Sequence, residues 1–330
     1  MPASASRSRL VGVCPAAVPF VTEALLRRRP APVWLVVVEN ARAGEQLAEE
    51  LALAHSLSGD TRRLEVALLP AHSDAQTGMR EAFALASDRL AALGQLRARR
   101  AFTGEKWDET LVVIATPAAL FQSVPALDAL AVREFTLTPG QSFPFAELIA
   151  KLAELDYDHE PLCEQPGQYA VRGGIIDVYP VTATAPVRVD FFGDVIEELR
   201  QFDPATQRSG EKLPSVVLSA SPSLELPAAL SGLSAYLGPR THLLAIDPPE
   251  LELAYAAELR TAEDNHGLPA TLAQGVEMLF ADRDGRDDWV GGLFDLDVAS
   301  ELFAAEDAPA ETWPTVSLGL HRTHPEQHLV

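Results

Sequence analysis

The first third of the chain alternates short apolar runs with segments of helical periodicity. Val33–Val38 is an uninterrupted apolar run, which is typical of a strand buried on both faces, and apolar residues then recur at helical spacing from Ala43 to Ala54. Leu64–Leu69 and Leu111–Ile114 predict two further strands, and Met79–Leu96 predicts a helix between them. Strands that alternate with helices favour a parallel sheet covered by helices.

The pattern changes after Val132, where short strands follow one another with polar turns between them. The predicted elements are a strand at 132–137, a helix at 145–155, a hairpin of 175–179 with 187–192, and strands at 196–202 and 216–218 that continue the meander. This order predicts a small β-rich α+β domain. The α/β pattern then returns, with helices expected at Pro227–Leu237 and Leu251–Leu259 and a strand at His242–Ile246.

The simplest topology is therefore one α/β domain interrupted by an inserted domain. We expect residues 1–123 plus 217–330 to form the discontinuous outer domain and residues 124–216 to form the insert. The acidic stretch Asp282–Trp313 has few periodic apolar residues, so no element is predicted there. Because no closing strand follows it, the chain is expected to be part of a longer protein.

Composition and charge exclude several classes of protein. The longest clean apolar run has only six residues, whereas a membrane-spanning helix needs about 20, and prolines interrupt the apolar stretch near the N-terminus. We therefore expect a cytoplasmic protein with no membrane contact. A formal charge of −21 also repels a phosphate backbone, so binding of duplex DNA by the whole surface is not expected.

The scarcity of lysine excludes one kind of nucleotide site. A P-loop needs a glycine-rich turn, then lysine to meet the phosphates and Ser or Thr to hold Mg²⁺. Lys106 precedes Trp, whereas Lys151 and Lys212 precede Leu, so no lysine of the chain stands in such a motif. The sequence thus predicts that this region does not hydrolyse ATP and needs no cofactor.

Two groups of residues, the cysteines and the C-terminal histidines, are considered as metal ligands. Cys14 and Cys163 are far apart and lack a nearby Cys/His cluster, so buried thiols are expected. His321, His324 and His328 have a spacing compatible with metal binding on one helical face, but Pro325 breaks that helix and a terminal tail is the preferred interpretation. We accordingly predict no metal site.

A basic cluster lies at the end of the helix predicted over Met79–Leu96. Arg97, Arg99 and Arg100 stand near two aromatic residues, which is a pattern found in proteins that bind single strands. Acidic residues follow at once, and they favour a solvated helix end. A DNA-binding module remains an alternative function.

Three segments of the middle region resemble one family. Residues 168–180, 187–194 and 200–209 are similar to the inserted second domain that bacterial transcription-repair coupling factors share with the excision-repair helicase UvrB. Looser similarity covers 86–93 and 112–120, which resemble parts of the flanking first domain. The resemblance implies a degenerate P-loop helicase-like α/β domain that carries an inserted β-rich domain.

The stretch that would hold the P-loop favours the coupling-factor branch. Gly12–Thr22 contains no lysine and has prolines where a phosphate cradle needs free amides. Asp247–Glu250 follows a predicted strand, where an acidic residue for Mg²⁺ is found in active helicases. Without a P-loop, a strand-terminating turn is the better interpretation. A nucleotide-dependent helicase subunit like UvrB is kept as an alternative.

The resemblance also supplies candidate binding residues. In the family, two arginines and a phenylalanine of the inserted domain recruit the damage-recognition subunit UvrA, and they correspond to Arg172, Arg188 and Phe192. Arg188 and Phe192 alternate with apolar residues, so they are expected on the outer face of a strand, and aromatic and Arg side chains are common binding anchors. The alternative is that Arg188 forms a surface salt bridge with Asp177 or Asp190.

The expected function is recruitment of UvrA to stalled RNA polymerase. By resemblance, RNA polymerase and DNA would bind through other domains of the full-length protein, and ATP and Mg²⁺ would serve its translocase part. Because Arg188 is expected to face outward, its replacement by Ala should weaken partner binding and leave folding nearly unchanged. Gly173 and Gly174 are expected to serve backbone geometry.

Overall fold

A computed structural model describes residues 7–71, 78–102, 107–222, 229–261, 268–281 and 291–298 of the 330-residue chain. Its strands are β1 (Arg7–Val13), β2 (Val33–Val37), β3 (Arg63–Leu69), β4 (Glu109–Ala115), β5 (Val124–Pro125), β6 (Glu134–Leu137), β7 (Asp158–His159), β8 (Gln168–Arg172), β9 (Ile175–Val178), β10 (Val187–Phe192), β11 (Val195–Phe202), β12 (Ser209–Lys212), β13 (Val216–Ser219), β14 (Leu230–Ser231), β15 (Thr241–Ile246) and β16 (Leu293–Val298).

Its helices are α1 (Val18–Arg28), α2 (Ala41–Ser58), α3 (Met79–Arg100), α4 (Pro117–Phe121), α5 (Leu127–Ala131), α6 (Phe145–Glu154), α7 (Pro248–Thr261) and α8 (Leu272–Ala281), with 3-10 helices at Pro15–Ala17 and Leu233–Tyr236. Among the described residues, no helix is both long and apolar enough to cross a membrane.

The chain divides into two units. The described residues of the first unit fall within 1–72, 95–123 and 232–330, and those of the second fall within 73–94 and 124–231. The division runs through α3, whose residues up to Gly94 group with the second unit, although the sequence analysis assigns them to the outer domain.

A fully parallel six-stranded sheet forms the centre of the first unit, in the order β1-β16-β15-β2-β4-β3. Every residue of β2 is buried, as the uninterrupted apolar run predicts. Asn40 caps α2 by accepting a hydrogen bond from the Ala43 amide at 2.9 Å, and Gly59 ends the helix with φ +72°. The predicted α/β class with an inserted domain is confirmed.

Two strands of this sheet, β1 and β16, are not predicted by the sequence pattern. β16 lies between β1 and β15 and buries Phe294 and Leu296. Its two aspartates hide the apolar pattern, yet Asp295 is also buried, and Asp297 accepts a hydrogen bond from Arg9 on β1 at 2.6 Å. Part of the acidic stretch Asp282–Trp313, for which no element is predicted, is thus a strand inside the sheet. Its polar groups are tolerated because neighbouring strands supply partners such as Arg9.

The strand-to-helix turn after β1 coincides with the stretch in which a P-loop was sought. Gly12 has φ +74°, Pro15 begins the first 3-10 helix, and Pro19 lies in the first turn of α1. After β15, Asp247 adopts φ +56°, its amide donates to the Leu296 carbonyl at 2.7 Å, and its own carbonyl accepts from the Leu251 amide at 3.0 Å. Asp247 therefore forms a turn from strand to helix.

A second six-stranded sheet forms the second unit, in the order β12-β11-β10-β9-β8-β7, and is antiparallel except where β7 pairs with β8. The predicted hairpin of β9 and β10 is confirmed, with Val189 opposite Ile176. One face of the sheet packs in a core that includes Leu148 and Leu152 of α6. The other face carries the candidate site.

The strand predicted at 216–218 is present but its predicted pairing is wrong, and one predicted helix further along the chain is also wrong. β13 pairs with β6 in a separate two-stranded sheet and does not continue the meander. The preceding Pro214 cannot donate a hydrogen bond to a sheet, and the chain leaves the sheet near that point. The helix expected over Pro227–Leu237 is absent from residues 229–237, which form β14 and the second 3-10 helix.

The cysteines are free thiols that differ in burial. Cys163 is fully buried, and this burial raises its pKa to about 12, whereas Cys14 is only partly buried. The prediction of a buried thiol is correct for Cys163 and wrong for Cys14. Burial makes the Cys163 thiol unreactive at neutral pH because the thiolate is the nucleophile.

Candidate partner-binding surface

The outer face of the antiparallel sheet is built by strand alternation. On β10, Val187 and Val189 are buried in the core, whereas Arg188 and Asp190 lie on the opposite face. Arg188 stands across from Asp177 on β9 and Arg200 on β11. Charged side chains of three neighbouring strands therefore lie side by side on this face.

Arg188 is held in place by a buried carboxylate. Its Nε and Nη2 atoms donate to the two carboxylate oxygens of Asp177 at 2.7 and 2.8 Å, and Asp177 is only 1% exposed. These hydrogen bonds raise the pKa of Arg188 above its ordinary value. The predicted salt bridge with Asp177 is therefore present, and Arg188 has a structural task in addition to any role in binding.

Further contacts fix the position of the guanidinium. Nη1 of Arg188 donates to Ser209 Oγ at 3.1 Å and lies 3.4 Å from the Gln207 carbonyl oxygen. The guanidinium carbon stands 4.8 Å from the centre of the Phe202 ring, and the side chain is 16% exposed. The expectation that Arg188 faces freely outward is wrong, because only one edge of its side chain reaches solvent.

Two tight turns bring the strand ends together at one end of the sheet. Gly173 and Gly193 begin these turns with φ +60° and +62°, a conformation that glycine adopts without a steric penalty. The Gly174 carbonyl accepts a hydrogen bond from the Phe191 amide at 2.9 Å, and a Cβ atom at Gly174 would lie 3.3 Å from the Phe191 carbonyl oxygen. The predicted backbone role of Gly173 and Gly174 is confirmed.

Phe192 lies at this end of the sheet and is largely exposed. It is the last residue of β10, stands opposite the exposed Val195, and has 79% of its surface open to solvent. Phe191, one position earlier, packs into the core with its ring 5.1 Å from that of Phe145. Alternation thus places one aromatic ring inside the domain and leaves its neighbour outside.

Arg172 ends β8 on the same side of the domain and is exposed. Its Nη2 atom lies 3.4 Å from the Pro161 carbonyl oxygen and 3.5 Å from Gln207 Oε1. Both contacts are long, so they restrain the side chain weakly. Arg172 and Arg188 nevertheless both contact Gln207, which places the two cations on either side of one residue.

The sequence analysis did not identify Gln207 as part of this surface. It lies in the loop between β11 and β12 with φ +60°, and its amide donates to the Asp203 carbonyl at 2.7 Å. Oδ1 of Asp203 also accepts from the Ala205 and Thr206 amides, which lowers the pKa of that carboxyl. The Asp-Pro turn signature could have revealed this ordered loop, although not its contact with the arginines.

Acidic side chains border the surface beside Phe191. Asp190 on β10 and Glu198 on β11 occupy opposite positions in the strand register. Glu198 contacts Lys212 and accepts a hydrogen bond from Arg200 at 2.5 Å. An open cleft of about 500 Å³ lies here, and burial raises the pKa of Asp190. The surface therefore offers arginines and an exposed aromatic ring, which are enriched at protein interfaces, and carboxylates at its border.

Arg99 of the alternative nucleic-acid cluster is engaged by two carboxylates. Arg99 donates to Glu65 at 2.5 Å and to Glu109 at 2.9 Å within the first unit. Two carboxylates thus offset the charge of Arg99. This agrees with the prediction that the cluster is a helix end next to acidic residues, not a nucleic-acid contact. His321, His324 and His328 lie outside the described residues.

Comparison with known proteins defines first the class of domain. Residues 135–223 match the family described as the UvrB interaction domain, and this range contains Arg172, Arg188 and Phe192. The UvrABC system protein B of Thermus thermophilus is 29% identical over 108 residues, which are 33% of this chain and 16% of that protein. The second unit thus contains a domain of a DNA-repair protein family.

The wider comparison identifies the protein family to which the chain is related. The transcription-repair-coupling factor of Mycobacterium bovis is 33% identical over 263 residues, which are 78% of this chain and 19% of that protein. The factor of Bacillus subtilis is 27% identical over 219 residues, which are 66% of this chain and 17% of that protein. The chain is homologous to the N-terminal region of transcription-repair-coupling factors, and it spans about a fifth of their length.

Proposed function

We propose that this region recruits the damage-recognition protein UvrA, and that the surface of Arg172, Arg188 and Phe192 makes the contact. The observation that carries the proposal is the exposure of Phe192, on the same strand as Arg188, in a domain that matches the UvrB interaction family. A large exposed aromatic ring is costly in water, and burying it against a partner recovers that cost. Recruitment would take place in the cytoplasm.

The three side chains would contribute in different ways. Phe192 supplies apolar area with few degrees of freedom to lose, so it is the expected anchor. Arg172 is weakly restrained and is free to pair with a partner carboxylate. Arg188 is already ordered by Asp177 in the unbound domain, so binding would cost little further side-chain entropy at this residue.

We also propose that this region has no ATPase activity. Two prolines occupy the turn where a phosphate cradle would need free amides, and the chain has no P-loop lysine. RNA polymerase, DNA and ATP would be bound by parts of the full-length factor outside these residues. Saturable binding of a fluorescent ATP analogue by this chain would contradict this proposal.

The test is calorimetric titration of the chain with purified UvrA. Replacement of Phe192 by Ala should weaken binding by about 10- to 100-fold, because truncating a buried anchor costs about 1 to 3 kcal/mol. Arg172→Ala should weaken it by about tenfold. Phe192 and Arg172 are the informative positions, since both are exposed and neither supports a buried group.

Matched controls are available in the first unit. Phe20 is half exposed on α1 and Arg42 is exposed on α2, so Phe20→Ala and Arg42→Ala remove the same side chains elsewhere. Both controls should bind UvrA like the wild type. The proposal fails if wild-type chain does not bind active UvrA, or if the controls lose as much affinity as Phe192→Ala and Arg172→Ala.

A further inference from the structure

Three side chains with metal-ligating atoms meet in the first unit, whereas the partner-binding surface belongs to the second unit. Glu23 lies on α1, His55 lies in the last turn of α2, and Asp60 lies in the loop that leads to β3. One ligand atom from each lies within 4.8 Å of the other two. No role for this cluster follows from recruitment of a repair protein.

The ring of His55 is oriented in the way that metal-binding histidines are. Its Nε2 atom lies 2.8 Å from the carbonyl oxygen of Arg62, and only a protonated nitrogen can donate to that oxygen. Nδ1 therefore carries the lone pair of the neutral ring. Histidines that bind metals commonly donate their other N–H to a backbone carbonyl, which fixes the tautomer and the ring.

The carboxylate of Glu23 faces Nδ1 of His55, and one of its oxygens lacks a hydrogen-bond donor among the described residues. Glu23 is only 5% exposed, and its Oε1 atom has no hydrogen-bond partner among the described residues. Oε1 and Nδ1 of His55 are 3.8 Å apart, which is too long for a hydrogen bond. A buried oxygen of this kind is costly unless a donor or cation satisfies it.

Asp60 supplies a carboxylate that is already ordered. Arg62 donates to both of its oxygens: the side-chain Nε lies 3.2 and 3.1 Å from them, Nη2 lies 2.5 Å from Oδ2, and the backbone amide lies 3.0 Å from Oδ1. These bonds occupy the acceptor positions of the carboxylate, so a metal ion would bind by displacing the long contacts of Nε.

We propose that Glu23, His55 and Asp60 bind one divalent transition-metal ion, with zinc as the best match. One imidazole nitrogen and two carboxylate oxygens are common zinc ligands, and a water would complete a tetrahedron. Zinc-ligand bonds of about 2.0 to 2.2 Å place neighbouring ligands about 3.3 to 3.5 Å apart, so the cluster needs only a modest contraction. The ion would tie α1, α2 and the loop before β3 together.

The test is a titration of the complete chain with zinc chloride after removal of metals by a chelator. The tail histidines are a second possible source of binding, so the experiment uses the variant in which His321, His324 and His328 are all replaced by Ala. We expect this variant to bind one equivalent of zinc with a higher melting temperature, and to give the visible absorption of tetrahedral cobalt when Co²⁺ replaces zinc. Absence of saturable binding overturns the proposal.

Two replacements locate the site. In the same background, Glu23→Gln and His55→Gln should both abolish the one-equivalent binding. His159→Gln is the control, because His159 is exposed on β7 in the second unit, and it should leave binding unchanged. Zinc binding that survives both Glu23→Gln and His55→Gln overturns the proposal.

Melting curves in the presence of chelator separate lost binding from lost folding. Glu23→Gln removes a buried carboxylate and keeps its shape, so without metal this variant should melt no lower than its parent. Addition of zinc should then raise the melting temperature of the parent and leave that of Glu23→Gln unchanged. An equal rise in both proteins would contradict a site that includes Glu23.

Discussion

The two large sheets of this chain use their faces in opposite ways. The parallel sheet of the first unit has β2 and most of β4 buried on both faces, whereas the edge strand β3 is partly exposed along its length. The antiparallel sheet of the second unit packs one face in a core with α6, whereas its other face carries charged side chains beside a small buried cluster of Cys163, Ala170 and Phe202. Charged side chains can therefore lie along the strands of the second sheet, whereas β2 of the first sheet is apolar throughout.

Residues on the second face of the antiparallel sheet differ in how much they stabilise the fold. Asp177 lies under this face at 1% exposure and is paired with Arg188, whereas Phe192 at the end of the same sheet has little contact with the core. Replacing Arg188 should thus disturb folding, and replacing Phe192 should not. The four tryptophans (34, 107, 289 and 313) all fall in sequence ranges of the first unit, so their fluorescence and far-UV circular dichroism separate the two units.

The largest expected effect is the loss of the Arg188 partner. Arg188→Ala should lower the free energy of unfolding of the second unit by about 3 to 5 kcal/mol, because Asp177 would remain buried without its cation. Urea unfolding followed by circular dichroism should show an early transition that tryptophan fluorescence does not report. Phe192→Ala is the control and should unfold like the wild type.

A double replacement sharpens this prediction. Arg188→Met with Asp177→Leu removes both charges, so it should regain most of the stability that Arg188→Ala loses. If Arg188→Ala unfolds within about 1 kcal/mol of the wild type, the ion pair is not the support of this face that its geometry indicates.

The next effect concerns the parallel sheet and depends on pH. His242 on β15 is enclosed by Trp34 and Phe294, with ring centres 4.8 and 5.5 Å away, and burial lowers its pKa to about 4. The unfolded chain binds a proton near pH 6.5, so the contribution of His242 is complete above that pH. It is lost as pH falls towards 4, and about 3 kcal/mol is expected to disappear.

The measurement is urea unfolding of the wild type and His242→Gln at pH 7 and pH 4.5, followed by tryptophan fluorescence. The difference between the two proteins is the informative quantity, because Glu258, whose pKa burial raises to about 7, acts in the opposite direction. Stability of the first unit should fall less on acidification in His242→Gln. An equal fall in both proteins would show that another group is responsible.

The smallest effect tests the turns that shape the antiparallel sheet. Gly173→Ala should cost about 1 to 2 kcal/mol, because alanine is strained at φ +60°. Gly210→Ala on β12 is the control, since a Cβ atom there meets its nearest neighbour at an ordinary 3.6 Å and the backbone needs no positive φ. Equal stability of the two variants, measured by circular dichroism, would remove the argument for a strained turn.

Much of the architecture followed from local pattern. The apolar run at Val33–Val38, the hairpin of 175–179 with 187–192 and the helix near Phe145 are all present, because each has an unambiguous period and clear boundaries. β16 was not predicted, since its alternate aspartates resemble an acidic loop until Arg9 and the neighbouring strands are in place. Local sequence pattern does not predict a strand whose polar side chains depend on residues far away in the sequence.

Some features of the candidate site also follow from local sequence pattern, and others follow only from packing. The sequence by itself determined that Arg188 and Phe192 share one face of a strand, because side chains alternate with a period of two, and that no P-loop lysine is present. Only the tertiary structure decided that Arg188 is anchored on the buried Asp177, that Gln207 joins it to Arg172, and that Glu23, His55 and Asp60 meet. These contacts join residues of different strands, helices and loops, and their register and distance arise from packing, which no local periodicity encodes.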